Sequence, residues 1–295
     1  KMLRPRLVFL TASLAPHDPE VVRDAAVAVE LIHMASLVHD DIIDQALTRR
    51  GRESLNQRWG NQASVLAGDY LFATAFNLIN QHDMRSIMDN VTTTIRIMCA
   101  GEIKQMSLSR NLDITVEEYL EKCYGKTACL FASSCKVGAL AAGLSEETGD
   151  DLEQYGLCPG YAYQIIDDLL DFQADTARLG KPVGHDLEEG NITLPVIYGL
   201  QDKLDGSCLR SLLEDQMSPL TARMPEIIRI LNATGALHNS LELARQFIDR
   251  ARTYLRGLPP GTAVKHLNAL AEYLLETYVQ MLAEPVAAES SEAAP

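Results

Sequence analysis

The stretch "HDPEVVRDAAVAVELIHMASLVHDDIID", His17 to Asp44, decides the fold of this chain. Asp18 has the side chain of a helix N-cap, Pro19 suits the first helical position, and Glu20 suits the positive end of the helix dipole. Apolar residues then recur on most sides of the run, which is typical of a helix buried in a bundle. The stretch therefore predicts a long core helix with three aspartates at its end.

The same helical periodicity runs through almost the whole chain, whereas alternating strand patterns are nearly absent. Further helices are predicted over 61–79, 86–108, 116–144, 149–172, 194–200, 225–232, 240–255 and 265–282. No break between them is long or polar enough to be a domain linker. We therefore predict an all-α fold with a single helical domain over 1–283, followed by a disordered, acidic tail over 284–295. Because the chain starts at "KMLRP" and not at a methionine, we expect a segment to precede it.

The chain is acidic and rich in apolar residues. Of its 295 residues 47% are apolar, and 26 Lys and Arg against 40 Asp and Glu give a formal net charge of −14. This charge argues against nucleic acid as a partner, but a small phosphorylated ligand stays compatible if a metal ion supplies positive charge. The six cysteines form no CxxC pair, which indicates a reducing, cytoplasmic location. We expect no transmembrane segment, since no apolar run approaches the roughly 18 residues that one needs.

The aspartates at the end of the first stretch form a motif that occurs twice. "HDDIID" contains Asp40, Asp41 and Asp44, and "IDDLLD" contains Asp167, Asp168 and Asp171. On a helix, the first and third aspartates of each motif lie one turn apart on the same face. Carboxylates about 6 Å apart repel each other by roughly 2–3 kcal/mol per pair at an effective dielectric constant near 20. A solvated acidic surface is the alternative interpretation, but the apolar residues around both motifs disfavour it.

Two carboxylate clusters that face each other across a bundle need hard cations between them. Oxygen ligands at this spacing suit Mg²⁺, with Mn²⁺ as a substitute, held together with waters and phosphate oxygens. The motifs therefore predict a diphosphate site with metal ions, of which we expect three. Basic residues near the motifs or at helix–loop junctions are further candidates: Lys1, Arg4, Arg49, Arg50, Lys126 and Lys181. Each taken alone is more typical of a surface charge, although loops such as "RRG" and "GKP" can close over a phosphate.

Together these motifs resemble the trans-isoprenyl diphosphate synthases (polyprenyl synthetases) over residues 1 to about 282, and most of all their medium- and long-chain, heptaprenyl-type members. "KMLRP" resembles the end of the family's GGKRxRP signature, with Met2 in place of a usual Arg. "LVHDDIIDQALTRRG" and "GYAYQIIDDLLD" resemble its two aspartate-rich motifs, with Tyr163 where Phe is more usual. "GEIKQ", "KTACLF" and "LGKPVGHDLEEGNITLP" match further signatures. Asn191 and Thr277 depart from a Lys and an Arg that many members carry.

The resemblance implies an isoprenoid-synthase helical bundle around a central apolar cavity. The metal ions would be reached by Asp40, Asp41, Asp44, Asp167 and Asp171, with Asp168 close by. The allylic diphosphate would contact Arg49, Lys126, Thr127, Gln164 and Lys181. The diphosphate of isopentenyl diphosphate would contact Lys1, Arg4, His33 and Arg50. The catalytic set would be Asp40, Asp41, Asp44, Lys126, Asp167, Asp168 and Lys181, and Arg49 would serve a diphosphate without needing to pair with the aspartates.

The implied reaction is a prenyl transfer, in which the allylic C–O bond ionises and the double bond of isopentenyl diphosphate attacks the resulting cation. Ser36 and Ala35 stand four and five residues before Asp40, about one turn back on the same helix face. Bulky aromatic residues at these positions stop chain growth in the family. The two small residues therefore imply a hexa- to octaprenyl product, with heptaprenyl favoured and farnesyl diphosphate as primer. A deeper floor for the product tunnel is predicted from Phe72, Phe76, Ile95 and Met98.

Three alternatives share part of this pattern. A geranylgeranyl diphosphate synthase shares every motif and differs in product length. A class I terpene cyclase also uses DDxxD, but its second cluster is an Asn/Ser/Glu motif, so "DDLLD" disfavours it. The third is a subunit of a two-component synthase: the six intact aspartates disfavour a non-catalytic subunit, whereas "GNITLP" leans towards a catalytic one. We expect a homodimer, with a heterodimer containing a small subunit as the alternative.

Overall fold

The computed structural model describes residues 2–49, 51–108, 110–173, 183–215 and 217–283. Its helices are α1 (Leu3–Ala12), α2 (Pro19–Ile43), α3 (Leu55–Trp59), α4 (Asn61–Asn80), α5 (Arg85–Leu108), α6 (Val116–Cys123), α7 (Cys129–Ala141), α8 (Glu146–Gln173), α9 (His185–Glu188), α10 (Leu194–Leu200), α11 (Gly206–Glu214), α12 (Leu220–Ala233), α13 (Ala236–Leu255) and α14 (Thr262–Ala283). A π-helix, Tyr124–Ala128, joins α6 to α7. An antiparallel hairpin, β1 (Thr48–Arg49) and β2 (Arg52–Glu53), follows α2. The predicted all-α fold class is confirmed.

Helix α2 begins as its sequence predicts. The Asp18 carboxylate accepts a hydrogen bond from the backbone N–H of Glu20 at 2.8 Å, and Pro19 is the first helical residue. Proline fits there because the first backbone N–H groups of a helix have no partner inside the helix. The cap fixes one end of a 25-residue helix whose other end carries the first aspartate motif.

Helix α8 lies at the centre of the larger of two apolar cores. It packs against α7, α13 and α14, and its Leu152, Ile165 and Leu169 are fully buried. The second core lies between α1, α2, α4, α5 and α7. Both aspartate motifs thus stand at the C-terminal ends of long helices whose other residues are held by apolar packing. No helix within the described ranges is long and apolar enough to cross a membrane.

Some elements were not predicted from the sequence: α1, α3, α9, α11 and the hairpin. Helices α3 and α9 have five and four residues, and each strand has two, so none is long enough to display a period. The predicted helix over 116–144 is also interrupted by the π-helix, Tyr124–Ala128. The single domain remains a prediction, and the predicted tail over 284–295 lies outside the described residues.

Two glycines bring the π-helix into backbone contact with α5. A Cβ atom added to Gly125 would lie 2.8 Å from the Cα of Gly101, and one added to Gly101 would lie 2.8 Å from the Cα of Gly125. Real Cβ atoms essentially never approach other atoms within 3.0 Å. The contact therefore requires glycine on both sides, and it places "GEIKQ" directly beside "YGKTA".

Replacing Gly125 with Ala should push α5 and the π-helix apart, because the obstructing atom is backbone and cannot rotate away. We expect the free energy of unfolding to fall by about 1–3 kcal/mol, the usual cost of overpacking, although Ala favours a helix by about 1 kcal/mol over Gly. Urea unfolding measures the change. Gly257→Ala is the matched control, since a Cβ there would have no neighbour within 4 Å. Equal stability of the two variants would contradict this explanation.

Candidate active site

The first aspartate motif lies at the C-terminal end of α2, where the helix dipole is negative. Asp40 and Asp41 belong to the last turn, and Asp44 is the C-cap residue. Asp41 is buried, Asp40 is half-buried and Asp44 is exposed. Three carboxylates at a negative helix end repel one another and the dipole, so the motif needs cations close by.

One cation comes from the hairpin that follows α2. The Nε and Nη2 atoms of Arg49 each lie 2.6 Å from Oδ1 of Asp41. The Asn56 side chain donates to the backbone oxygen of Asp41 at 3.1 Å and so ties α3 to the same turn. Arg49 was expected to serve a diphosphate without needing to pair with the aspartates, and that role remains a prediction. In this structure Arg49 does pair with Asp41, because the hairpin folds back onto α2 and supplies a counter-ion to the most buried carboxylate of the motif.

The second motif lies in the last two turns of α8, and its middle aspartate is held by two side chains. Asp168 is 3% exposed. Its Oδ2 accepts a hydrogen bond from the Tyr119 hydroxyl at 2.6 Å, and its Oδ1 accepts one from Nε2 of Gln164 at 2.8 Å. The hydroxyl of Thr127 donates to Oε1 of Gln164 at 2.7 Å. Asp168 thus connects α6, α8 and the π-helix, whereas Asp167 is exposed.

Asp171 holds the start of α9. Its two carboxylate oxygens accept hydrogen bonds from the backbone N–H groups of His185 at 3.2 Å and Asp186 at 3.1 Å. Burial, followed by repulsion from Asp186, raises the pKa of Asp171 to about 6 despite these bonds. Each oxygen retains a further lone pair, so its predicted role as a metal ligand remains a prediction.

Lys126 lies between acidic groups from different parts of the chain. Burial lowers the pKa of Lys126, but the carboxylates of Glu102, Asp44, Asp40 and Asp186 outweigh it and the net shift is upwards. The π-helix that carries Lys126 therefore presents one positive charge to the first motif and to the segment that Asp171 holds. This arrangement brings together parts of the two predicted clusters.

A polar pocket opens beside Lys126. Its volume is about 40 Å³, which suits ions or a few waters rather than an isoprenoid chain. The lining residues are Gln105, Lys122, Cys123, Lys126, Gln164, Asp168, Asp186, Asn191 and Thr193. Asn191, which departs from the family pattern described above, is thus one of the lining residues.

The carboxylates of this region carry negative charge that the protein does not fully balance. Burial, and then repulsion from Glu102, raises the pKa of Asp40 to about 7, although Lys126 opposes the shift. Burial and Asp186 also raise the pKa of Asp168. Among the described residues no three His, Cys, Asp or Glu side chains are close enough to hold a metal ion by themselves. The all-oxygen donors fit Mg²⁺ shared with a phosphate ligand, since Mg²⁺ is usually held by one or two carboxylates, waters and phosphate oxygens.

The residues predicted for isopentenyl diphosphate are only partly described. Arg4, on α1, is half-buried, and its guanidinium carbon lies 4.9 Å from the ring centroid of Phe131. Its Nε is buried without a hydrogen-bond partner, and burial lowers its pKa to about 10. His33 is half-buried on α2. Lys1, Arg50 and Lys181 lie outside the described residues.

The predicted product-length residues lie on α2, about one turn before the first motif. Ala35 is fully buried, and the half-buried Ser36 donates its hydroxyl hydrogen to the backbone oxygen of His33 at 2.9 Å. The four predicted floor residues belong to the second core: Phe72, Phe76, Ile95 and Met98. The apolar tunnel and its length remain predictions.

Several residues of the region were not assigned a role from the sequence. Glu102 and Gln105 lie in "GEIKQ", and Asp186 lies in "GHDLEEGN". Both segments match signatures of the family that the sequence resembles, so these three residues could have been predicted as site residues. The role of Tyr119 could not be predicted from the sequence, because its partner Asp168 is 49 residues away.

Asp40→Asn should make the metal-free protein more stable at pH 8 than the wild type. The pKa of Asp40 is about 7 in the folded protein, against an ordinary value of 3.8, so the folded state binds the proton more tightly than the unfolded state. The stability that this proton contributes is therefore highest below pH 3.8 and is lost as the pH rises through 7. In EDTA we expect the difference in melting temperature between the two proteins to be larger at pH 8 than at pH 5, by about 2 °C for each additional kcal/mol. Asp89→Asn, whose side chain is 73% exposed, is the control. A difference that does not change with pH would contradict the prediction.

Comparison with known proteins identifies the family. The polyprenyl synthetase family model matches residues 1–231. Heptaprenyl diphosphate synthase component 2 of Geobacillus stearothermophilus is 39% identical over 276 residues, which cover 93% of this chain and 85% of that protein. The protein of the same name from Bacillus subtilis is 37% identical over 275 residues, which cover 93% of this chain and 78% of that protein.

Solved structures agree with this comparison. A heptaprenyl diphosphate synthase from Staphylococcus aureus superposes with a TM-score of 0.86 at 30% identity, covering 94% of this chain and 87% of that one. A polyprenyl synthase from Caulobacter crescentus, complexed with calcium and isoprenyl diphosphate, superposes with a TM-score of 0.85 at 33% identity. The match covers 93% of this chain and 84% of that one. The chain belongs to the polyprenyl synthetase family.

Proposed function

We propose that this chain condenses isopentenyl diphosphate with an allylic diphosphate, farnesyl diphosphate as primer, to make a trans-polyprenyl diphosphate of medium to long chain, with heptaprenyl favoured. The observation that carries the proposal is the position of Lys126. This half-buried cation lies among Asp40, Asp44 and Asp186 and lines a polar pocket together with Asp168. A diphosphate bound there would meet Lys126 directly and the carboxylates through divalent cations.

The same arrangement supports a chemical role for each group. Divalent cations, when bound, supply positive charge that stabilises the leaving diphosphate. Lys126 and Arg49 add fixed positive charge as the allylic C–O bond breaks and its electron pair leaves with the diphosphate. The double bond of isopentenyl diphosphate then attacks the allylic cation, and the proton that is lost passes to the departing diphosphate. The apolar packing around α2 and α8 keeps water away from the cation.

The metal and its number are part of the proposal. We infer that Mg²⁺ is the physiological ion, that three ions are bound and that Mn²⁺ can replace Mg²⁺. The oxygen-only donor set supports this inference. The C. crescentus relative, whose crystal structure is a complex with calcium and isoprenyl diphosphate, supports a divalent cation as part of the proposal.

A second polypeptide chain is proposed to bind this protein. Two relatives carry the name component 2, which favours a heterodimer with a small subunit over the homodimer expected from the sequence alone. Helix α4 exposes Leu66 at 69% and Tyr70 at 73%, large apolar side chains of the kind that a subunit would cover. The six cysteines are unpaired, and we propose a cytoplasmic location. The net charge of −14 supports the absence of a nucleic-acid partner.

The purified chain should extend farnesyl diphosphate with labelled isopentenyl diphosphate when Mg²⁺ is present and should stop when EDTA is added. Chromatography of the dephosphorylated products measures chain length, and a 35-carbon product is expected. A 20-carbon product would support the geranylgeranyl alternative. If only the chain together with a small partner subunit is active, the heterodimer is supported. No elongation even with that partner would contradict the proposed reaction.

The same assay tests the product-length residues. Ala35→Phe should shorten the product, because an aromatic ring one turn before Asp40 would block the predicted tunnel. Ser36→Phe is a second variant at a less buried position, where a ring costs less in packing. Melting temperatures check that both variants fold. An unchanged product distribution in both folded variants would contradict the tunnel assignment.

A further inference from the structure

Tyr119 is a fully buried residue of α6 whose hydroxyl reaches into the candidate site. It is 0% exposed, and it donates a hydrogen bond of 2.6 Å to Oδ2 of Asp168. Helix α6 is anchored at its start by a capping box, in which Thr115 and Glu118 bond each other's backbone N–H groups. The position of Tyr119 is therefore fixed by its own helix and by the packing around its ring.

The bond from Tyr119 is the first of a continuous series. Oδ1 of Asp168 accepts from the side chain of Gln164 at 2.8 Å, and Oε1 of Gln164 accepts from the hydroxyl of Thr127 at 2.7 Å. Because Gln164 donates through nitrogen and accepts through oxygen, its amide orientation is defined at both ends. Thr127 follows Lys126 directly in the π-helix. The series thus runs from α6, across α8, to the residue next to the central lysine.

A π-helix is rare and occurs mostly as a single-turn bulge within an α-helix, frequently at a functional site. Gly125 provides contact with α5 on one side. The Thr127–Gln164 bond provides a polar attachment to α8. Without Tyr119, Asp168 would keep only one of its two side-chain partners in a buried environment, where an unmet hydrogen bond is costly.

We infer that Tyr119 is a positioning residue of the prenyl transfer: through Asp168, Gln164 and Thr127, it fixes the π-helix that presents Lys126 to the leaving diphosphate. The inference rests on the proposed function in that Lys126 contacts the diphosphate. Tyr119 itself does not line the pocket described above. Its effect on the reaction is exerted through the series of hydrogen bonds.

Tyr119→Phe removes the first bond of the series and leaves the ring. We expect kcat for elongation of farnesyl diphosphate to fall about 10- to 100-fold, the range caused by misplacing a catalytic group by up to about 1 Å. The KM for isopentenyl diphosphate should stay within about twofold, because that substrate binds elsewhere. Hydrogen exchange of the backbone amides over 124–128 should become faster, which mass spectrometry measures independently of activity.

Tyr155→Phe is the matched control. Tyr155 is also 0% exposed, and its hydroxyl donates a 2.7 Å bond to the backbone oxygen of Leu267, on the side of α8 that faces α14. Both variants lose one buried hydroxyl and one hydrogen bond, so a purely structural role would give both the same effect. We expect Tyr155→Phe to retain kcat and the exchange rates over 124–128.

A double variant tests whether the series acts as one unit. Thr127→Val removes the hydroxyl that donates the last hydrogen bond of the series. The double variant, which combines Tyr119→Phe with Thr127→Val, should lose little more activity than either single variant. Unchanged exchange over 124–128 in Tyr119→Phe, or a loss of kcat equal to that of Tyr155→Phe, would overturn the inference. Absence of elongation by the wild type would instead contradict the proposed function, and the exchange measurement would still decide the role of Tyr119.

Discussion

Negative charge that the protein does not balance by itself is the constraint on which this site depends. Asp40 and Asp171 have pKa values raised to about 7 and about 6 because they are buried among other carboxylates. Arg49 neutralises Asp41, and Lys126 offsets part of the charge on its neighbours. The remaining excess is unfavourable by itself, and the divalent cations and diphosphate of the proposed function would compensate it.

Contacts that involve the backbone decide which acidic groups surround Lys126. The contact of Gly101 with Gly125 brings α5 against the π-helix, which sets Glu102 close to Lys126. On the opposite side Asp171 holds the start of α9 through two backbone N–H groups, and this places Asp186 within electrostatic range of Lys126. The first arrangement is a backbone–backbone contact, and the second joins a carboxylate on α8 to backbone N–H groups of α9, so both hold the neighbours of Lys126 in defined positions.

The sequence was sufficient to predict features that depend on neighbouring residues. The cap at Asp18, the length of α2 and the acidic faces of the two motifs follow from local propensity and helical spacing. The pairing of Arg49 with Asp41, the role of Asp171 as a cap and the bond from Tyr119 to Asp168 could not be predicted. Their partners are 8, 14 and 49 residues apart, and they meet only because the hairpin, α9 and α6 fold back onto the long helices.

The central claim is that the acidic groups bind the allylic diphosphate through divalent cations. Isothermal titration calorimetry with farnesyl thiodiphosphate, an unreactive allylic analogue, tests it most directly when the wild-type protein is titrated once in excess Mg²⁺ and once in EDTA. The account predicts binding in Mg²⁺ and its loss in EDTA, because without cations the diphosphate would face the carboxylates directly. Equally tight binding in EDTA would contradict it.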